Sequence, residues 1–73
     1  MEDSVVQEQN KIPIWNKLNL TIDEAAEYTN IGKDKLYEMT NDPTCPFVLF
    51  IGRRHRLLKR VALERYLENV VEI

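Results

Sequence analysis

The spacing of apolar and polar positions predicts a first helix that begins at Thr21. One face carries apolar or small side chains and the other carries carboxylates: Ile22, Ala25, Ala26 and Thr29 against Asp23, Glu24 and Glu27. The start matches a capping box, in which Thr21 and Glu24 satisfy backbone N–H groups reciprocally. Acidic residues in the first turn also suit the helix dipole.

A second helix is predicted from about Lys33 to Asn41, after a break at Asn30-Ile31-Gly32. Gly32 would permit the backbone turn. Leu36, Met39 and Thr40 are expected to face inward, whereas the outward positions are Asp34, Tyr37, Glu38 and Asn41. Two short helices joined by a three-residue turn with a glycine are typical of a helix-turn-helix, although many helical proteins contain such a turn.

The apolar run at 47–51, Gly52-Arg53 and the segment up to Lys59 predict two strands joined in a hairpin. A last helix is predicted from about Val61 to Val71. Its apolar stripe has the spacing i, i+3, i+4, i+7 at Leu63, Tyr66, Leu67 and Val70. Helix, helix, hairpin and helix together predict an α+β fold, a small winged helix-turn-helix with the hairpin as its wing.

The N-terminal residues 1–11 are polar, acidic and aperiodic, and we predict that they form a disordered tail. The winged-helix domain would then occupy residues 12–73. Order is expected to begin near Ile12, where Pro13 argues against a helix start. Trp15 is expected to pack against the core.

Charge is distributed unevenly along this chain of net charge −2. The segment 53–60 holds five of the ten Lys and Arg residues and no Asp or Glu. A cationic hairpin on an otherwise acidic protein predicts contact with a polyanion such as double-stranded DNA. The bland alternative is a solvated hairpin whose charges protect a sheet edge.

Other chemistry is not indicated. Cys45 has no second cysteine to pair with and is expected to be a partly buried loop residue. His55 has no acidic or nucleophilic neighbour in the hairpin, and the carboxylates show no catalytic spacing. We therefore predict no enzyme activity, no cofactor and no metal. No apolar run suits a membrane span, so a cytoplasmic location is expected.

Candidate DNA contacts lie on the second helix and on the wing. Arg53 is expected at the tip of the wing, with Arg54 and Arg56 on the returning strand, where guanidinium groups can meet phosphates or a minor groove. On the helix, the candidates for a major groove are Lys33, Asp34, Lys35 and Tyr37. The alternative for this helix is an ordinary surface helix of mixed charge.

The chain resembles the small excisionases of conjugative transposons. The resemblance rests on Ile12-Pro13-Ile14-Trp15, on Leu20 to Tyr28 (LTIDEAAEY) and on Ile31 to Leu36 (IGKDKL). Residues 47–67 resemble the wing and closing helix of the wider excisionase and MerR-like winged-helix group. The second helix is less basic than that resemblance leads one to expect.

The resemblance implies a recombination directionality factor of the bacterial nucleoid. Such a protein binds repeated sites in the arms of a mobile element, bends the DNA and helps a tyrosine integrase to excise the element. It implies recognition by Lys33, Asp34, Lys35 and Tyr37, with the wing role on Arg53, Arg54 and Arg56. Neighbouring copies on DNA are a further expected partner. A transcriptional regulator of the same fold, or an adaptor that binds an acidic protein through the wing, remain alternatives.

Overall fold

The structure is a computed structural model that describes residues 12–73, so the predicted tail at 1–11 lies outside the described residues. After a short 3-10 turn at Ile14–Asn16, the described part contains three strands and three helices. In chain order these are β1 Asn19–Leu20, α1 Ile22–Thr29, α2 Lys33–Thr40, β2 Val48–Ile51, β3 His55–Lys59 and α3 Arg60–Glu68. The order of the helices and the hairpin confirms the predicted winged helix-turn-helix.

The start of α1 is the predicted capping box. The backbone N–H of Glu24 donates to Thr21 Oγ1 at 3.1 Å, and the backbone N–H of Thr21 donates to Glu24 Oε1 at 3.0 Å. These two bonds satisfy donors that the first turn of a helix leaves without intrahelical partners.

The turn between α1 and α2 is made by a different residue from the one expected. Asn30 has a left-handed backbone with φ of 62°, and its N–H donates to the carbonyl of Ala26. Gly32 has φ of −60°, a value open to any residue. Asparagine tolerates the left-handed region better than most residues, which explains how α1 ends without glycine.

The hairpin belongs to a three-stranded antiparallel sheet of order β1-β3-β2. The short strand β1 was not predicted, because two residues carry no periodicity; it pairs Leu20 with Leu58. Strands β2 and β3 pair from Val48↔Leu58 to Ile51↔His55, so the turn comprises residues 52–54. Arg54 therefore lies in the turn and not on the returning strand, where it was expected.

Every element of regular structure except β2 contributes to one small core below the sheet. Its buried apolar side chains are Leu20, Ala25, Leu36, Phe47, Leu58 and Leu63. Thr40 is also buried, on the inward face of α2. The inward positions Ala25, Leu36 and Leu63 are confirmed, and Tyr66 and Leu67 pack against the same core.

Two expectations about the ends of the domain are wrong. Trp15 is 62% exposed, because the 3-10 turn directs its neighbour Ile14 toward the core. Helix α3 begins at Arg60, one residue before the predicted start at Val61. It ends at Glu68, three residues before the predicted end at Val71. It starts directly from β3, and the N–H of Arg60 donates to the carbonyl of Leu18 at 3.1 Å. Asn69 closes its last turn by donating from Nδ2 to the carbonyl of Arg65.

Candidate nucleic-acid interface

The exposed side of α2 carries the candidate recognition residues. Lys33 and Asp34 lie exposed in its first turn, Lys35 is half-buried, and Tyr37 is 49% exposed one turn further on. Gly32 caps the helix without a side-chain hydrogen bond. The first N–H groups of α2 therefore have no side-chain acceptor at the positive end of the helix dipole, an arrangement that suits a phosphate.

Both lysines of α2 have carboxylate neighbours. Lys33 Nζ lies 3.5 Å from Asp23 Oδ1, and Lys35 Nζ lies 3.9 Å from Glu38 Oε1. Ion pairs between such exposed side chains contribute little, so each ammonium is available to a phosphate at small cost. The same carboxylates weaken the positive field of α2, which agrees with its modest basic character.

The tip of the wing presents cations without acidic neighbours. Arg53 and Arg54 are exposed in the turn, and His55 is exposed at the start of β3. Gly52 allows this turn because its backbone has φ of +69°. Among residues 12–73, no carboxylate lies within 4 Å of the guanidinium group of Arg53 or of Arg54. The ion pairs in this part of the chain are all formed by other cations. Two exposed guanidinium groups at the tip can donate to the phosphates of a nucleic-acid backbone.

Arg56 occupies a different place from the other wing cations. It lies on β3, but its guanidinium contacts α2 rather than the tip of the wing. Nη1 donates to Thr40 Oγ1 at 2.9 Å and to Asn41 Oδ1 at 2.8 Å. The guanidinium carbon also lies 4.2 Å from the centre of the Tyr37 ring. The wing and α2 are thereby brought side by side, with their exposed residues on adjoining surfaces.

The remaining cations of segment 53–60 have other settings. Arg60 is a structural residue: Nε donates to the carbonyl of Lys17 at 2.7 Å, and Nη1 donates to Glu64 Oε2 at 3.1 Å. Glu64 also accepts a hydrogen bond from the hydroxyl of Tyr28. That bond lowers the pKa of Glu64 and raises the pKa of Tyr28. Lys59 is exposed at the opposite end of β3 from the tip.

Sequence reasoning named Tyr37 as a site residue but missed the three other partners of Arg56, namely Thr40, Asn41 and Phe50. The signal that finds Phe50 is the length of the turn. A three-residue turn pairs Phe50 with Arg56. The alternation of β3 itself places Arg56 on the same face as the buried Leu58. A two-residue turn would instead pair Arg56 with Leu49, whose side chain lies on the opposite face of β2 from Phe50.

The described part of the chain shows neither a metal-binding cluster nor a membrane-spanning helix. Residues 12–73 contain no cluster of three or more His, Cys, Asp or Glu side chains that could hold a metal ion. None of the helices described here has the length and apolar character needed to cross a membrane. Cys45 is half-buried in the loop before β2, as expected.

Comparison with known proteins agrees with this geometry. A family described as a helix-turn-helix domain matches residues 20–70, which include both helices, the wing and α3. The excisionase from transposon Tn916 of Streptococcus agalactiae serotype V is 31% identical over 62 residues, covering 85% of this chain and 92% of that protein. The chain belongs to the excisionase family of helix-turn-helix proteins. No solved structure matches it.

Membership in the excisionase family explains the absence of catalytic spacing in the sequence. This excisionase-family protein is a DNA-binding protein and not an enzyme. The match spans α1, α2, the hairpin and α3 together, so it covers the exposed side of α2 and the wing. The resemblance noted from the sequence is confirmed at the level of the family.

Proposed function

We propose that this excisionase-family protein binds double-stranded sites in the arms of a mobile element and bends them. Helix α2 enters a major groove, with Lys33, Asp34, Lys35 and Tyr37 at base edges and phosphates. The wing lies on the adjacent minor groove or backbone, with Arg53 and Arg54 as contacts. The observation that carries the proposal is the side-by-side placement of α2 and the wing, each with exposed cations.

The wing and α2 have different roles in this proposal, because their side chains differ in chemistry. Guanidinium groups at the tip of the wing supply affinity through phosphate contacts that do not depend on sequence. Discrimination between base pairs comes from α2, where a lysine can donate to guanine and Asp34 can accept a hydrogen bond from cytosine N4. Because α2 also carries carboxylates, this protein depends strongly on the wing for affinity.

Bending would follow from holding two adjacent grooves at once. Such a protein contacts the major groove through a helix and the neighbouring groove through a hairpin. The free energy gained from the added contacts offsets the cost of deforming the duplex. The bent DNA would then help a tyrosine integrase to assemble the excision complex in the bacterial cytoplasm, at the nucleoid. Neighbouring copies on the repeated sites are further partners in this scheme.

The direct test is binding to duplexes from the ends of the element and to scrambled duplexes of equal length, followed by fluorescence anisotropy. With three to five phosphate contacts, the slope of log K against log salt should be about −3 to −5. Energy transfer between the two DNA ends reports bending, and a reconstituted reaction with the integrase reports excision. Binding without effect on excision, together with repression of a promoter, would instead favour the transcriptional regulator. Binding that is indifferent to salt would contradict the electrostatic part of the proposal.

A further inference from the structure

Arg56 provides every side-chain hydrogen bond between the wing and α2 within residues 12–73. Its Nη1 uses both hydrogens, on Thr40 Oγ1 and Asn41 Oδ1, at 2.9 and 2.8 Å. Nη2 lies 3.3 Å from the hydroxyl of Tyr37. Three of the five N–H donors of the guanidinium are therefore directed at α2 and its C-terminal cap.

Aromatic contacts add to these bonds. The guanidinium carbon of Arg56 lies 4.2 Å from the ring centre of Tyr37 and 5.3 Å from that of Phe50. One ring belongs to α2 and the other to β2, so the same planar group contacts both elements. This accounts for Phe50, which is 54% exposed and would otherwise be an unexplained apolar side chain on the wing.

The charge of Arg56 is held by dipoles. No carboxylate lies within 4 Å of its guanidinium among the described residues. Thr40 and Asn41 stand at the C-terminal end of α2, where the helix dipole is negative and favours a cation. A stable location for the charge therefore exists without a phosphate, in contrast to the two arginines of the tip.

The wing has few contacts of its own that fix its orientation relative to the body of the domain. Leu58 and its partner Val48 are the last sheet pair next to the core, and beyond them Phe50, Ile51 and the turn are exposed. A two-stranded hairpin has little stability by itself, so its angle to the body depends on side chains near its base. Arg56 is the next residue after Leu58 toward the tip on the same face of β3.

We propose that Arg56 is a positioning residue that sets the angle between α2 and the wing, through Thr40, Asn41 and Tyr37 on one side and Phe50 on the other. The angle determines whether the wing reaches the groove next to the one that α2 occupies. This inference rests on the proposed DNA binding. It differs from a direct phosphate contact, the role that the sequence suggested for Arg56.

Two variants separate positioning from a phosphate contact. Arg56→Lys keeps the charge but cannot reproduce two simultaneous bonds and the stacking of a planar group. Asn41→Ala keeps all cations and removes one acceptor. The matched control is Arg65→Gln, which removes an exposed cation from α3, outside both α2 and the wing.

Positioning predicts that Arg56→Lys and Asn41→Ala each lower the preference for specific over scrambled duplex by about five- to tenfold, with the salt slope unchanged. Arg65→Gln should preserve that preference. If Arg56→Lys binds as the wild type does, while Arg56→Ala reduces the salt slope by about 0.9, Arg56 is a phosphate contact and the positioning role is wrong.

A measurement on the free protein keeps this test independent of the proposed function. Residual dipolar couplings of backbone amides report the orientation of the wing relative to α2. We expect Arg56→Lys and Asn41→Ala to change the couplings of β2 and β3. The couplings of α1 and α2 should still fit a single relative orientation of these two helices. Unchanged couplings in both variants would refute positioning even if the wild type binds DNA. If the couplings change in the two variants but the wild type fails to bind DNA, only the proposed function is refuted.

Discussion

The hydroxyl of Tyr28 on α1 donates a hydrogen bond to the carboxylate of Glu64 on α3, 36 positions later in the chain. Glu64 also accepts from Arg60, which in turn donates to the carbonyl of Lys17. This chain of bonds ties the first helix, the last helix and the segment before β1 together. It lies apart from α2 and the tip of the wing, so it serves the fold.

We expect Tyr28→Phe to lower the midpoint of thermal unfolding by a few degrees, because one hydrogen bond to a carboxylate is lost in a small domain. Circular dichroism measures the change. Glu64→Gln and the double variant complete a cycle that isolates the Tyr28–Glu64 pair. Effects that simply add would show that the two side chains do not interact. DNA affinity measured below the unfolding transition should remain that of the wild type.

The capping box of α1 gives a second prediction. Thr21→Ala removes the acceptor of the Glu24 N–H and should reduce the free energy of unfolding by about 1 kcal/mol, as measured in urea. Thr21→Ser keeps the hydroxyl and is the matched control. Equal stability of the alanine and serine variants would mean that the box contributes nothing.

The pKa of Glu24 is lowered, chiefly by its hydrogen bond with Lys17 and further by the backbone N–H of Thr21, while burial opposes the change. The folded protein therefore binds a proton at Glu24 less readily than the unfolded chain does. The resulting stability is present above the ordinary pKa of Glu, about 4.3, and is lost as pH falls through the lowered value.

Glu24→Gln keeps the geometry of a capping box but cannot ionise. We expect its free energy of unfolding to depend less steeply on pH below about 4.3 than that of the wild type. Part of the dependence should persist, because hydrogen bonds also lower the pKa values of Glu64 and Asp42. Urea titrations between neutral and acidic pH give the comparison. Identical pH profiles for the two proteins would contradict the role of Glu24.

The turn of the wing depends on Gly52. Its φ of +69° is strained for other residues, although an added Cβ would meet no atom within 4 Å. Gly52→Ala should therefore cost about 1 kcal/mol in the free energy of unfolding through the backbone alone. Gly52→Asn should cost less, because asparagine tolerates this region. An alanine variant as stable as the wild type would show that the turn adopts another conformation.

The two arginines of the tip give a prediction about DNA. If each contacts one phosphate, the salt slope should become less negative by about 0.9 for Arg53→Ala and for Arg54→Ala, with affinity reduced on specific and scrambled duplexes alike. Anisotropy across a salt series measures both quantities. Arg65→Gln should retain the slope of the wild type. A loss confined to the specific duplex would assign these arginines to base recognition instead.

The elements that could be predicted are those with local causes. Thr21 and Glu24 lie within one turn of each other, so the capping box is visible in the sequence, and the period of Leu63, Tyr66 and Leu67 identifies α3. Trp15 could not be placed in the same way. The outward direction of its side chain depends on how a three-residue turn packs Ile14 against elements distant in sequence.

In the candidate site, too, features with local causes could be predicted and features that depend on tertiary contacts could not. Sequence alone determined the order of helices and hairpin, the start of α1 and the excess of cations at 53–60, because each depends on residue type and short-range spacing. Only the tertiary structure separated those cations into an exposed tip, an Arg56 held by α2 and an Arg60 bound to Glu64. The physical reason is register. A turn of three residues decides which residues of β2 lie beside those of β3, so that Phe50 and not Leu49 is paired with Arg56.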